Sequence, residues 1–298
     1  MLTLFTVAKP FRGEFAVIQR NAIRSWALLR PSCEILLIGN EEGLQDIAKE
    51  TGAVYLSEVA RNEFGTPLVS SVFSQAEKHA HYSHLCYVNA DIILLSDFLP
   101  AVRRVLEWDP CSLVVGRRWD LDFGEPIDWM AGDGEESVRA QLRVRATLHS
   151  HMGIDYFVFR SGLWDSIPPL AIGRGLWDGW LISRARALAK SVVDATACLT
   201  AVHQNHSYSH HPEGEAGVWY GAEMKRNLSL GGGLRNACTV RDATHTLTPR
   251  RIIPRLFPYD LHRCLVVPLV TQRWARPLIQ LKKVLVSGSR SDFTEERP

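Results

Sequence analysis

The chain has 298 residues, of which 46% are hydrophobic and 22% charged, with a formal net charge of +2. Those proportions exclude a disordered, collagenous or disulfide-dense protein and fit one large globular α/β domain with or without an appendage. The sequence has no uncharged apolar run of about eighteen residues, so no spanning helix is expected. Cys33, Cys86, Cys111, Cys198, Cys238 and Cys264 form no CxxC pair. Free thiols in a reducing compartment are therefore expected, rather than a disulfide frame or a zinc cluster.

The chain opens on Leu2-Thr3-Leu4-Phe5-Thr6-Val7, of strand composition, without a basic region or a small-residue cleavage site. A secretory signal is not expected, and a cytoplasmic location is. Residues 14–29 then carry Phe15, Ile18, Ala22, Trp26 and Leu29 at helical spacing, with Pro31 beyond the end. Residues 34–40 form an apolar strand closed by Gly39 and Asn40, and a short helix over 44–51 leads to a third strand over 53–56. Thr66-Pro67 has the form of an N-cap and first-turn proline, ahead of a helix carrying Val69, Val72, Phe73, Ala76 and Ala80 on one face. A long apolar run, 85–95, follows directly with Asn89 and Asp91 in its middle.

Four strand–helix alternations with short connections predict right-handed crossovers and a mostly parallel sheet covered on both faces. Such sheets bind ligands at the carboxyl ends of their strands, and Asp91 lies late in the fourth. A lone buried carboxylate costs several kcal/mol unless something pairs with it. A bound cation is a natural partner, and a satisfied strand-end acid is the plainer reading.

Beyond residue 110 the pattern loosens. Strands are expected over 112–116, 154–159, 192–194 and 199–203, with helices over 137–148 and from Gly173-Arg174-Gly175 through 190. Asp178 opens the last helix and His203 closes the last strand, so Asp91, Asp178 and His203 all stand at element ends. A carboxylate and an imidazole converging on one site suit Mg²⁺ or Mn²⁺ carrying a diphosphate. His206, His210 and His211 lie close to His203, so the ligand could instead be His206, or none of these histidines. Asp178 is also in place to cap its helix. Asp155 either lines a binding site or pairs with an arginine such as Arg160 or Arg174.

The segment Tyr87-Val88-Asn89-Ala90-Asp91-Ile92 resembles the DxD signature of nucleotide-sugar glycosyltransferases with the GT-A fold, of the family-2 type. The order of elements over about residues 1–210 is similar too: a nucleotide-binding α/β half, the DxD strand fourth, then an acceptor half. The resemblance implies a transferase that moves a sugar from a nucleotide-diphosphate donor to a hydroxyl acceptor, carbohydrate or lipid-linked, with metal help and inversion. It implies that Asp91 and His203 hold Mn²⁺ or Mg²⁺, that Asn89 and Ala90 assist at the donor, and that Asp178 deprotonates the acceptor, with Asp155 beside it. Thr6, Val7 and Ala8 would lie under the nucleotide base. Trp177 and Trp180, with Trp164 and Tyr156, would supply a stacking wall for sugar. Asn89 departs from the signature, because an amide brings no second negative charge.

GxGxxG and GxxxxGK[ST] loops are absent after the first strand, and no GxSxG elbow occurs. Oxidoreductase, P-loop and α/β-hydrolase readings are thereby disfavoured, and no nucleic-acid partner is indicated. The remaining rivals are a sugar-phosphate nucleotidylyltransferase and a non-catalytic nucleotide-binding scaffold on the same sheet. Residues 234–298 hold 12 basic and 5 acidic groups, against 22 and 27 in 1–233. A boundary after 233 is therefore expected, with nucleotide-sugar (1–110) and acceptor (111–233) halves before it and a helical basic extension after it. Residues 261–286 mix leucines, valines and Trp274 with five cations, a surface suited either to the anionic inner face of a membrane or to packing as a helical cap.

Overall fold

In the computed structural model, which describes residues 1–129, 131–207 and 214–255, the first half follows the expected alternation. In order come β1 (Thr3–Val7), α1 (Gly13–Ala27), β2 (Glu34–Ile38), α2 (Leu44–Thr51), β3 (Val54–Leu56), α3 (Val69–His79) and β4 (His84–Val88). The second half holds β5 (Ile92–Leu94), α4 (Phe98–Trp108), β6 (Leu113–Val115), β7 (Trp119–Leu121), α5 (Gly134–Arg145), β8 (Thr147–Leu148) and β9 (Tyr156–Arg160). It closes with α6 (Trp177–Ala187), β10 (Val192–Asp194), β11 (Ala201–Gln204), α7 (Gly214–Tyr220), α8 (Ala222–Leu230), β12 (His245–Leu247) and β13 (Ile252–Pro254).

Nine strands form one sheet in the order β13-β12-β10-β6-β9-β4-β1-β2-β3. It is mostly parallel, as expected, with β9 set antiparallel between β4 and β6 and β13 antiparallel to β12. Strand alternation divides the core between the two faces. Leu4, Cys86, Val88 and Val158 pack with Trp26 of α1, Ile47 of α2 and Val102 of α4, while Phe5, Tyr87, Phe157 and Phe159 pack with Phe73 of α3 and Leu181 of α6. Each such large side chain contributes about 1.5–3 kcal/mol by leaving water. A second sheet, β5-β11-β7-β8, stands beside the carboxyl end of β4 over a small cluster of Ile93, Leu95, Leu121 and Val202.

Three expectations change. The run 85–95 is two strands in two different sheets, because Asn89 accepts a hydrogen bond from the Ile92 amide (3.1 Å) and closes a turn. Asn and Asp are turn formers, and apolar periodicity alone does not reveal a turn inside so short a run. Thr66 does not cap α3, whose N-cap is Leu68 in extended conformation; Pro67 instead accepts a bond from Ile172 (3.0 Å) in an edge pairing. The compact unit runs from Met1 to Arg255, and β12 and β13 extend the large sheet beyond residue 233. A shift in charge balance reports on surface, not on where a core ends. His210, His211 and the basic stretch 261–286 lie outside the described residues. Among those described, no helix is long and apolar enough to cross a membrane.

Candidate active site

The turn that separates β4 from β5 puts Asp91 at the carboxyl edge of the large sheet, facing the end of β11. Two buried amides hold that junction. Gln204 donates to the Asp91 carbonyl (3.1 Å) and the Ile18 carbonyl (2.7 Å), and its own oxygen accepts from Asn21 of α1 (2.9 Å). Trp26 of α1 donates to the Ile92 carbonyl (2.8 Å) on the other side of the turn. Helix α1 thus fixes both the acid and the strand that bears His203 and leads to His206.

Asp91, His203 and His206 present one ligand atom each, all within 4.8 Å of one another. His206 Nε2 is 3.2 Å from Asp91 Oδ2 and His203 Nε2 is 3.9 Å from it. The other oxygen, Asp91 Oδ1, is buried with no hydrogen-bond partner among the described residues. Burial works against ionisation of this carboxyl, but the His206 hydrogen bond and the positive fields of His203 and Lys9 prevail and hold it well below the usual carboxylate range. One carboxylate and two imidazoles make a donor set for a first-row divalent ion, and the orphaned oxygen lacks the partner that such an ion supplies. The residues fit a metal. His206, open as an alternative in the sequence, stands with His203 in the cluster.

Behind His203 is a second layer. Its Nδ1 lies 3.5 Å from Asp120 Oδ1 on β7, and it also contacts Asn205 Oδ1 at 3.1 Å. Asp120 bonds in addition to His149 Nδ1 (2.5 Å) and Arg118 Nε (2.9 Å). Burial opposes the Asp120 charge, and His203, His149 and Arg118 more than compensate, so its pKa is depressed. For His203 burial disfavours the proton, yet Asp120 and Asp91 together raise its pKa.

Asn89 takes a different place from the one its motif position suggests. Its Nδ2 donates to Asp155 Oδ1 (2.7 Å) and its Oδ1 accepts from Tyr87 Oη (2.8 Å), so the amide ties the end of β4 to the start of β9. Ala90 is buried within the turn. Asp155, just before β9, pairs with neither Arg160 nor Arg174. Arg118 Nη1 reaches its two oxygens at 2.9 and 3.0 Å, and their side chains are 18% and 5% exposed. A buried pair of this kind must be satisfied on both sides, and the Asn89 amide completes the acid's shell.

Helix α6 begins from Leu176, whose φ of +81° is a left-handed conformation that a branched side chain rarely adopts. That residue, not Asp178, is the N-cap. Asp178 sits in the first turn, where it accepts from the Gly179 amide (2.7 Å). Burial pushes its carboxyl up to about 7; the Gly179 bond and Arg118 oppose this, and the nearby Asp155 charge adds to it. The preceding Trp177 does not face outward. Its ring packs 5.3 Å from Tyr87 and 5.6 Å from Phe157, in the core. Trp164 and Tyr156 are also buried, and Trp180 packs against the same core from its edge. Bulky aromatics at helix and strand positions cover sheet here, and three of the four are lost to any sugar wall.

At the end of β1, Thr6 is buried and bonds to its neighbour's carbonyl (3.1 Å), while Val7 and Ala8 are partly exposed. Lys9 follows, its main chain gripped by Gln19 through two hydrogen bonds of 2.7 and 2.9 Å. Its Nζ stands 4.3 Å above the Phe15 ring and 3.5 Å from His206 Nε2. Burial lowers its pKa, and Asp91 and Glu14 pull it back up. Lys9, Arg118 and Asp120 carry site contacts that motif reading missed. The available signal for Asp120 was a charged residue between Trp119 and Leu121 in an otherwise polar segment.

No protein-family model matches this sequence, and no curated protein matches it. Among solved structures, the chain is similar to glucosyl-3-phosphoglycerate synthase from Mycobacterium tuberculosis in complex with Mn²⁺, uridine diphosphate and glucosyl-3-phosphoglycerate. That likeness has 18% identity and a TM-score of 0.46, covering 78% of this chain and 80% of the other. The same synthase with Mg²⁺ and uridine diphosphate gives 15% identity and 0.46 over 87% of each chain. S. aureus TarS gives 10% identity and 0.46 over 68% of this chain and 36% of that one.

Proposed function

We propose that the protein is a metal-assisted glycosyltransferase of GT-A-like architecture that moves a sugar from a nucleoside-diphosphate donor to a hydroxyl acceptor. The observation that carries this reading is the meeting of Asp91, His203 and His206, with an orphaned buried carboxylate oxygen, at the carboxyl edge of a mostly parallel sheet. Those three residues would hold Mn²⁺ or Mg²⁺, and the two imidazoles favour Mn²⁺, since Mg²⁺ prefers oxygen ligands. Such an ion, when bound, neutralises charge on a diphosphate leaving group.

The chain's own groups then have defined tasks. In the transfer step the acceptor oxygen forms a bond to the sugar C1 while the C1–O bond to the diphosphate breaks. The bonding pair leaves with the diphosphate, and the acceptor's hydroxyl proton passes to Asp178. A carboxylate with a pKa of about 7 is matched to that transfer near neutral pH. Attack opposite the departing diphosphate inverts C1. Asp155 acts through the Arg118 and Asn89 contacts that shape the space beside Asp178. Thr6, Val7 and Ala8 form the floor of the donor side.

An acceptor face is supported by Trp219, 40% exposed, whose ring would lie 3.6 Å from a Cβ on Gly175, three residues before Asp178. It is better placed to stack on a sugar than Trp177. A lipid-linked acceptor and peripheral attachment to an anionic membrane face remain part of this proposal, on the strength of the basic composition of 234–298.

Thermal unfolding with a panel of nucleoside diphosphates, with and without Mn²⁺, tests the donor site. A ligand at a hundred times its Kd adds about 2.7 kcal/mol to stability. Mn²⁺-dependent stabilisation is expected in the wild type and its loss in Asp91→Ala. If no nucleoside diphosphate stabilises the wild type, the donor-site reading is wrong.

A further inference from the structure

We infer, on the basis of the proposed donor site, that Lys9 binds the distal phosphate of the nucleotide, its ammonium adding to the positive charge of the metal site. An ammonium group has three N–H donors and no acceptor. The hydrogen-bond partner found for Lys9 Nζ among the described residues is His206 Nε2, at 3.5 Å. The same Nζ stands 4.3 Å above the Phe15 ring, a face that leaves its remaining N–H donors without a hydrogen-bond acceptor among the described residues. A half-buried ammonium in that state still has donors to offer an arriving anion.

The placement is built. Gln19, 2% exposed, grips the Lys9 amide and carbonyl with its own amide and fixes where the side chain leaves the chain. Phe15, on the same helix, lies under the ammonium. The ammonium consequently stands beside the Asp91–His203–His206 cluster, within the field of Asp91. A second cation here would leave Asp91 overbalanced unless an anion also arrives. With a divalent ion on the cluster, Lys9, the ion and the histidines call for a multiply charged anion, and Asp91 alone does not balance them. A diphosphate meets that need, and its terminal phosphate, the one nearest the bond to be broken, carries the larger share of charge.

The chemical consequence is differential. A nucleoside monophosphate has no distal phosphate for Lys9 to hold, so Lys9 should distinguish di- from monophosphates and not bind both equally. A plain structural lysine, neutralising Asp91, would give no such distinction.

The experiment is calorimetric titration of the full-length protein, with saturating Mn²⁺, against uridine, guanosine, adenosine, cytidine and thymidine diphosphates and their monophosphates. Lys9→Met keeps an unbranched side chain of similar length and removes the charge; Lys9→Arg keeps the charge. Lys9→Met should weaken the preferred diphosphate about 10- to 100-fold, the scale of one charge-assisted hydrogen bond, and leave the monophosphate within about 2-fold. Lys9→Arg should recover part of the loss. Unchanged diphosphate affinity in Lys9→Met, or an equal loss for mono- and diphosphate, overturns the role of Lys9 while the donor site stands. Failure of the wild type to bind any of the diphosphates removes the donor-site reading and the Lys9 role with it. Melting temperatures of the variants separate a folding defect from a binding one, since a merely unfolded variant loses both ligands together.

Discussion

His203 Nδ1 faces Asp120 Oδ1 at 3.5 Å, which turns the opposite nitrogen, Nε2, toward Asp91. A carboxylate behind a metal-binding imidazole fixes its tautomer and raises its basicity, and removing such a partner typically lowers metal affinity about 10- to 100-fold. Asp120→Asn should therefore weaken Mn²⁺ binding by that order in titrations of the nucleotide-free protein. Unchanged Mn²⁺ affinity in a folded Asp120→Asn protein would show that His203 needs no such support.

Asn89→Asp tests the meaning of the variant motif. Restoring the second acid looks like a gain of metal affinity, but the Asn89 amide donates to Asp155 at 2.7 Å. An aspartate there would set two carboxylates against each other and remove a donor, at a cost of roughly 1–3 kcal/mol. A lower melting temperature without tighter Mn²⁺ binding is expected. Tighter binding at undiminished stability would mean that the amide is not needed where it sits.

Asp155→Ala strands the Arg118 guanidinium, whose side chain is 18% exposed. Breaking a buried pair from one side is costly, typically about 3–5 kcal/mol, and Arg118 retains Asp120 as partial compensation. Chemical denaturation should show a loss toward the lower end of that range. The double variant Arg118→Met with Asp155→Leu should be closer to wild type than Asp155→Ala alone, since the stranded guanidinium is gone and Asp120 keeps His149. Equal losses in both would mean that packing, not charge, dominates the position.

Much of the frame was legible because β1 to β4 and their helices are each bounded by turn residues and keep one period throughout. The mostly parallel sheet and the edge position of Asp91 follow from that, while His203 stood out only as the close of the last expected strand and His206 as its neighbour. The turn at 89–92 was not legible, since two three- to five-residue strands abutting in sequence read as one apolar run. Lys9 carries no motif; its place depends on Gln19, ten residues on, folding back from α1. Trp177 illustrates the converse: a tryptophan at a helix start looks exposed in a sequence, yet the left-handed turn at Leu176 rotates it into the sheet.

Asp178 gives the sharpest pH behaviour. Its carboxyl rises from 3.8 to about 7 on folding, so the native state holds a proton that the unfolded chain releases across that window. Stability therefore falls as pH rises from about 4 to about 7, and the cost is complete above the folded value. Asp178→Asn keeps an acceptor for the Gly179 amide and carries no charge. It should melt like wild type near pH 4 and higher than wild type at pH 8, while losing glycosyl transfer. Activity should run in the opposite sense if, as proposed, the deprotonated acid is the base: kcat/KM should then climb tenfold per pH unit below about 7 and level off above it. Asp178→Glu should keep that rising limb at a lower plateau. A profile flat from pH 5 to 8 in an active wild type, or full turnover in Asp178→Asn, would assign the proton transfer to another group.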